Sequence, residues 1–286
     1  MAAGKEIRTK IGSIRNTQKI TKAMEMVAAS KMRKAEERMA ASRHYAGGMR
    51  NIIAHLAQSK PEYRHPYMRE RPVKKVGYII VSSDRGLCGG FNTNGFREVV
   101  RHMAAWHEKD VSVDICAIGN KGVQFFKKTP CRLIAEKTHL GDEPEVEQLI
   151  GAVQVMLNNF EEESIDRLFI LYNRFVNMMI QEPVIEQLLP LSGEPDERLR
   201  HYWDYIYELP PKEVVETVLK RYVESLVYQA VVENLACEQA ARMVAMQSAS
   251  SNAEELIEDL QLEYNKGRQA KITQELAEIV GGSRAL

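Results

Sequence analysis

The stretch AARMVAMQSASSNAEELIEDLQLEY, Ala240 to Tyr264, lies within a long run of sequence that contains no proline. The run starts at Pro211, a residue that suits the first turn of a helix, and Gly281-Gly282 make a natural stop. At about 1.5 Å per residue, roughly 70 helical residues would extend on the order of 100 Å, well beyond the diameter of a globular domain of this size. We therefore predict one helix over 211–286 that is supported from outside its own domain.

A second long helix is predicted at the other end of the chain, over 1–60. The first proline is Pro61, and residues 3–58 are rich in Ala, Met, Lys, Arg, Glu and Gln, which lose little on entering a helix. Gly47 and Gly48 can bend or interrupt this helix, since each glycine costs about 1 kcal/mol relative to alanine. Interrupted apolar stripes and small residues, which let helices approach closely, predict that the two terminal helices pair in a coiled coil.

Charge is shared unevenly between these two helices. Residues 1–35 contain nine basic and two acidic residues, a net charge of +7, whereas the run EELIEDLQLE at 254–263 has no basic residue. An antiparallel pairing can offset part of the basic charge against the acidic run. The remaining basic residues suit an acidic protein surface or a phosphate backbone. The residues that fall near one basic stripe are Arg8, Arg15, Lys19, Lys22 and Arg33.

The middle of the chain, 74–209, predicts a Rossmann-like α/β domain with a mostly parallel sheet. Short β-rich runs alternate with helical stretches, which is typical of crossover connections between parallel strands. MMIQEPVIEQLLPL and HYWDYIYEL can add an edge strand or extend the sheet. The four principal strand candidates are KKVGYIIVSS, VSVDICAIG, CRLIAEK and DRLFILYNRF.

Composition and cysteine usage narrow the class of protein. The 39 basic and 39 acidic residues balance, so overall charge does not favour nucleic acid or a membrane surface. The four cysteines lack a C-x-x-C pair, which argues against a zinc site or a disulfide framework. The N-terminus has no apolar core of a signal peptide, and no window has the length of a membrane span, so we expect a soluble chain without direct membrane insertion.

The loop SSDRGLCGGFN, Ser82 to Asn92, follows an apolar strand and raises the question of a phosphate cradle. It lacks the lysine and hydroxyl of a Walker loop and the G-x-G-x-x-G spacing of a dinucleotide turn. Asp84 and Arg85 are interpreted most simply as an ion pair that shapes the turn, and Cys88 as a small packed thiol. A nucleotide site in this loop is therefore disfavoured.

Other catalytic patterns are missing from the sequence. There is no G-x-S-x-G elbow and no H-E-x-x-H metal motif. His102 and His107 are five positions apart, which points them to different sides of one helix, and we expect both to be surface residues. We predict no catalytic, cofactor-binding or metal-binding residues, and an interaction protein rather than an enzyme.

Four segments together resemble the gamma subunit of bacterial F-type ATP synthase, across essentially the whole chain. They are IRTKIGSIRNTQKITKAMEMVAASKM, SSDRGLCGGFN, ARMVAMQSASSNA and YNKGRQAKITQELAEIVGG. The resemblance implies a rotor shaft: an antiparallel coiled coil of the terminal helices inside a ring of alpha and beta subunits. The α/β domain would then bind the epsilon subunit and the ring of c subunits. It also implies a peripheral location on the cytoplasmic side of the bacterial inner membrane.

The resemblance further implies contact residues for each partner. The DRGLCGG loop would lie against an acidic loop of a beta subunit, through Asp84, Arg85 and Cys88. A second beta-subunit contact would use Arg268, Gln269 and Thr273, with the tip QELAEIV in a bearing-like sleeve. Tyr205 and Glu208 would form the foot on the c ring, with Lys31 and Arg33 nearby. Ser250 and Ser251 stand where this family commonly has threonine and aspartate.

Two other functions are kept as alternatives. A nucleotide-binding enzyme built on the central domain would explain the glycine-rich loop and the sheet, and tight nucleotide binding would favour it. A nucleic-acid scaffold would use the basic helix but leave the acidic run without a role, and salt-sensitive binding to DNA would favour it.

Overall fold

The computed structural model describes residues 2–58, 65–191 and 211–283, with side chains over 5–41, 65–191 and 215–279. Its contacts divide the chain into two compact units, Met1–Ala29 with Arg242–Leu286, and Ser30–Ala241. The two longest helices, α1 (Ala2–Gln58) and α5 (Pro211–Ser283), contribute to both units. Between them lie α2 (Phe91–His107), α3 (Asn120–Phe126), α4 (Val146–Glu161) and the strands β1 (Lys75–Val81), β2 (Ser112–Ile118), β3 (Arg132–Lys137), β4 (Arg167–Phe175) and β5 (Gln181–Leu189).

The predicted α/β fold is confirmed. The strands form one five-stranded sheet in the order β3-β2-β1-β4-β5. Strands β3, β2, β1 and β4 run parallel to one another. Strand β5 lies antiparallel to β4 at the edge of the sheet, which is the edge strand predicted for MMIQEPVIEQLLPL. The run HYWDYIYEL lies outside the described residues.

Both faces of the sheet are covered, which explains the nearly unbroken apolar strands. One face packs against α4 and the first part of α5, where Leu219, Val223 and Val227 are fully buried. The other face packs against α2 and α3 through side chains such as Tyr78 and Phe169. Complete burial of one such aliphatic side chain stabilises the fold by roughly 1.5–3 kcal/mol.

The glycine pairs that the sequence suggested as interruptions do not break the terminal helices. Helix α1 continues through Gly47 and Gly48, and α5 begins at Pro211 as predicted but continues through Gly281 and Gly282 to Ser283. The glycine penalty is small enough for the surrounding helix to override it.

Helix α1 carries a seam of sheltered positions at alternating spacings of four and three residues. Within the first unit the seam comprises Ile7, Ile11, Ile14, Gln18, Thr21, Glu25 and Ala28, and in α5 it comprises Met246, Ser250, Ala253, Ile257, Leu260 and Tyr264. This repeat is that of a left-handed coiled coil. The polar members of the seam explain why the apolar stripe is interrupted in the sequence.

The seam also fixes the relative direction of the two helical segments in this unit. The hydroxyls of Thr21 and Ser250 are hydrogen-bonded across it, and Ile7 precedes Thr21 by 14 residues as Tyr264 follows Ser250 by 14. Beyond Tyr264, residues 265–279 are all exposed. An antiparallel pair accounts for this coincidence, because the N-terminal end of α1 then lies level with the last sheltered positions of α5.

The charges of these segments do not meet across the seam. Among the described side chains, no ion pair joins the basic residues of 5–29 to the acidic run 254–263; Lys10 pairs with Glu6 and Lys22 with Glu25 within α1. The expected offset of basic by acidic charge would therefore act through the closeness of the two helices and not through direct ion pairs of these side chains, and it stays a prediction. The seam is filled mostly by apolar and small side chains, and Glu25, the charged member of the seam named above, pairs with Lys22 of the same helix.

Candidate partner-binding site

The loop between β1 and α2, residues 82–90, is called the tip loop here. Leu87 and Gly89 have left-handed backbone angles, with φ of 65° and 57°. This conformation costs a leucine about 1 kcal/mol or more, so other contacts must hold it. Leu87 is nevertheless 62% exposed, and Arg85 is exposed beside it. The tip loop thus presents a cation and an apolar side chain to an outside partner.

A hydrogen-bonded cluster beneath the tip loop holds this shape. Asn92, in the first turn of α2, accepts from the Ser83 backbone N–H at 3.1 Å and donates to the Ser83 hydroxyl at 2.7 Å. The Ser83 hydroxyl donates to the carbonyl of Arg85 at 2.7 Å. Asn92 also donates to the Cys88 sulfur at 3.5 Å. A single amide side chain therefore fastens both ends of the turn.

Asp84 anchors the loop to two distant segments. One carboxylate oxygen accepts from the backbone N–H of Asn120 at 3.0 Å, and the other accepts from that of Leu140 at 3.1 Å. The predicted ion pair of Asp84 with Arg85 is therefore wrong. Each oxygen of the carboxylate instead accepts a hydrogen bond from a backbone N–H group, and both of these groups belong to other segments of the chain.

Gly119 allows β1 and β2 to end close together beside this loop. Its φ is 95°, and a Cβ atom there would lie 2.1 Å from the carbonyl oxygen of Ser82. The Ser82 hydroxyl accepts from the N–H of Gly122 at 2.8 Å and lies 3.0 Å from the carbonyl of Ile118. The backbone N–H groups of Asn120 and Gly122, at the start of α3, are therefore hydrogen-bonded within the chain, to Asp84 and Ser82.

Cys88 is turned inward, which confirms the interpretation of a packed thiol. It is 3% exposed and lies in an apolar cluster with Phe91 and Cys237, against Phe175 and Ala241. The Cys237 thiol donates to the carbonyl of Asn173 at 3.2 Å, and burial raises the pKa of this thiol. Both sulfurs are structural groups.

Helix α5 covers the place where a doubly wound sheet binds its ligand. Such a ligand lies at the carboxyl ends of the strands where the strand order reverses, here between β1 and β4. The end of β4 is instead bonded to α5. Asn234 accepts from the backbone N–H of Asn173 at 3.1 Å and from its side-chain amide at 3.0 Å, and Glu233 accepts from the N–H of Phe175 at 3.0 Å. The contacts that a nucleotide would need are made by the chain itself.

The remaining predicted contact residues lie elsewhere. Arg268, Gln269 and Thr273 are exposed on the unpaired part of α5, and the Thr273 hydroxyl donates to the Gln269 carbonyl at 3.0 Å. Lys31 is bonded to Asp142 at 2.7 Å, and Arg33 is exposed. Tyr205 and Glu208 lie outside the described residues. The structure therefore gathers Asp84, Arg85 and Cys88 in one loop, and only Arg85 of these three has an exposed side chain.

The prediction that both His102 and His107 are surface residues is wrong for His102. The Nδ1 atom of His102 lies 2.6 Å from the hydroxyl of Tyr78, and its ring packs edge-on against Phe169. Burial lowers the pKa of His102. His107 is exposed, as expected. His102 is half-buried because it faces the sheet, a position that a five-residue separation cannot reveal.

The described part of the chain contains no cluster of three or more His, Cys, Asp or Glu side chains suited to a metal ion. Within the same residues, no helix combines the length and the apolar character needed to cross a bilayer.

Comparison with known proteins identifies the family. The sequence profile described as ATP synthase matches residues 3–286. The ATP synthase gamma chain of Nitrosococcus oceani is 63% identical over 289 residues, and the alignment covers 100% of both chains. This chain belongs to the ATP synthase gamma-chain family. A gamma chain is a non-catalytic subunit of ATP synthase and its central rotor shaft, in keeping with two long helices and a sheet whose ligand position is covered.

Solved structures share the fold of this gamma chain. A chain in the rotor of Euglena gracilis mitochondrial ATP synthase, rotational state 1, matches with a TM-score of 0.64 at 19% identity, over 95% of this chain and 99% of that one. One in the Euglena OSCP/F1/c-ring structure, rotational state 3, matches with 0.66 at 20%, over 99% and 94%. One in the central stalk/c-ring structure of Tetrahymena thermophila mitochondrial ATP synthase matches with 0.61 at 25% identity, over 81% and 99%.

Proposed function

We propose that this gamma chain couples rotation of a c-subunit ring to the conformational cycle of catalytic beta subunits, and that its tip loop receives force from them. The observation that carries the proposal is the tip loop itself. It holds Leu87 in a left-handed conformation and exposes Leu87 and Arg85, while Ser83, Asp84 and Cys88 are bonded or packed inward. A strained backbone conformation at an exposed position is typical of loops that bind a partner.

The proposed occupant of the tip loop is an acidic segment of a beta subunit. Arg85 supplies the direct ionic contact, Leu87 an apolar contact, and Asp84 and Cys88 hold the loop in position from within. The exposed basic residues of α1, including Arg8, Arg15 and Lys19, suit the same acidic surface. This role also accounts for basic side chains that the acidic run of α5 does not pair.

The second proposed contact is on the unpaired end of α5. Residues 265–279 form a single exposed helix, and a helix of that length is marginal in water without a partner. Ile272, Leu276 and Ile279 form an exposed apolar stripe with spacings of four and three residues. We infer that this stripe turns within a sleeve of alpha and beta subunits, with Arg268, Gln269 and Thr273 on a beta-subunit loop.

A third proposed contact, the foot, comprises Tyr205 and Glu208 on the c ring. Lys31 is occupied by Asp142, so Arg33 is the exposed cation of that pair. The epsilon subunit binds the α/β domain, over 74–209, and the shaft comprises 1–60 and 211–286. The chain is thus a peripheral protein on the cytoplasmic side of a bacterial inner membrane.

Reconstitution tests these contacts. The chain is mixed with the alpha and beta subunits of its own organism, and complex formation, ATPase activity and ATP-driven rotation are measured. We expect a gamma-dependent complex, and a several-fold loss of torque in Arg85→Ala and in Gln269→Ala. Arg101→Ala is the matched control, because Arg101 is an exposed arginine that pairs with Glu98 within α2. A tip-loop variant with the control's torque would refute the proposed contact.

A further inference from the structure

The tip loop is joined to helix α1 through residues 139–143, called the 139–143 loop here, which lie in the connection between β3 and α4. Leu140 of this loop donates its backbone N–H to Asp84. His139 and Gly141, on either side of Leu140, have left-handed φ values of 60° and 73°. The two reversals form a tight turn that directs the Leu140 N–H to Asp84 and the following acidic residues to α1.

The acidic end of the 139–143 loop grips one face of α1. Lys31 donates to Asp142 at 2.7 Å, and Arg38 donates to the Asp142 carbonyl at 3.0 Å. Arg38 also forms an ion pair with Glu143. Lys31 and Arg38 are seven residues apart and therefore lie on the same face of the helix, two turns from each other. Lys31 and Arg38 thus bond α1 to the 139–143 loop. Asp84 in turn bonds that loop to the tip loop.

The tip loop has a second, apolar attachment on helix α5. Cys88 and Phe91 pack against Cys237, where the thiol of Cys237 is bonded to the end of β4. All these contacts lie within the Ser30–Ala241 unit. The same short loop therefore has a polar connection to α1 and a buried apolar connection to α5.

We propose that Asp84 is a positioning residue for rotation. Through Asp84, force received at the tip loop passes to Leu140, then to Asp142 and into helix α1. Force applied at Arg85 and Leu87 is then shared between the two helices of the shaft. A carboxylate suits this role because its two oxygens bond two backbone donors at once, Asn120 N–H and Leu140 N–H. The inference rests on the proposed contact between the tip loop and a beta subunit.

The test uses the assembled ATP synthase with full-length gamma chain. The variants are Asp84→Asn, which keeps the shape of the side chain, and Asp142→Asn, which removes the ionic contact at a solvent-exposed site. Hydrogen exchange is measured over residues 82–90, 139–143 and 30–41, and protons pumped are measured per ATP hydrolysed. Glu98→Gln is the matched control, since it removes an exposed ion pair within α2.

We expect both variants to speed hydrogen exchange in the tip loop and in the segment 30–41 of α1, and to lower the number of protons pumped per ATP. Asp142→Asn should affect the tip loop although it lies outside it. The charge-swapped pair Lys31→Glu with Asp142→Lys should restore part of both properties relative to Asp142→Lys alone. Such rescue would show that the loss arises from the contact between Lys31 and Asp142 itself.

Two outcomes would overturn the inference. One is normal pumping by Asp84→Asn while Arg85→Ala loses torque, in which case the tip loop is a contact but Asp84 does not carry the force. The other is unchanged exchange in 30–41 in both variants. Loss of the proposed function is recognised separately, because Arg85→Ala would then match its control.

Discussion

The hydroxyls of Thr21 and Ser250 lie 2.7 Å apart in the seam between α1 and α5, and both residues are buried. Because the Thr21 hydroxyl is directed to the carbonyl of Gln18 at 3.0 Å, Ser250 is the donor toward Thr21. A buried polar pair in a coiled coil favours one register over its neighbours. This pair fixes which residues of the two helices face each other.

Thr21→Val should destabilise the chain, because it leaves the Ser250 hydroxyl buried without its partner. The expected loss is about 1–3 kcal/mol in the free energy of unfolding, measured by denaturant titration of the full chain. Thr17→Val is the control, since the hydroxyl of Thr17 is exposed. The double variant Thr21→Val, Ser250→Ala should recover much of the loss, and no recovery would contradict this explanation.

Asn234→Ala should also destabilise the chain. It removes the acceptor for the backbone and side-chain N–H groups of Asn173, and at a buried site an unpaired donor costs about 1–3 kcal/mol. The free energy of unfolding is compared with that of Asn252→Ala, the same change at an exposed position of α5. Equal effects in the two variants would show that the end of β4 does not depend on α5.

His102 should make stability depend on pH. Burial lowers its pKa, so the unfolded chain binds a proton more readily than the folded one, and stability is lost as the pH falls below about 6.5. Unfolding at pH 7 and pH 5 is compared for the natural chain and His102→Asn. The variant should show a shallower dependence of stability on pH, and His107→Asn, the same change at an exposed position of α2, is the control.

The thiols should differ sharply in reactivity. Cys131 is partly exposed, whereas Cys88, Cys116 and Cys237 are buried, and burial raises the pKa of Cys116 to about 12. A thiol reagent at pH 8 should therefore modify Cys131 first in the native chain and all four after unfolding. Cys131→Ser should abolish the rapid phase, and its persistence would show that another thiol becomes accessible.

The sequence predicted the elements well because their signals are local. Apolar runs such as VGYIIV marked buried strands, and the absence of proline marked both long helices. The site was harder to predict, because its contacts join residues far apart in the chain. Asp84 was assigned to its neighbour Arg85, but its partners are Asn120 and Leu140, 36 and 56 positions away.

The covering of the sheet by α5 was likewise missed. Glu233 and Asn234 interrupt the apolar run VVENLAC, and such polar residues inside a buried helix face indicate buried hydrogen bonds. The sequence therefore indicates that Glu233 and Asn234 accept buried hydrogen bonds, but it does not indicate which residues donate them. The N–H groups at the end of β4 become available only once the sheet has formed.

The coiled-coil seam of α5 ends at Tyr264, and the helical residues that follow it, 265–279, are all exposed. A single helix of this length exchanges readily with unfolded chain, and a protease cleaves the unfolded form. We therefore expect a protease to cleave the free chain first after Lys266, Arg268 or Lys271, and to cleave there more slowly once this end is bound in a complex.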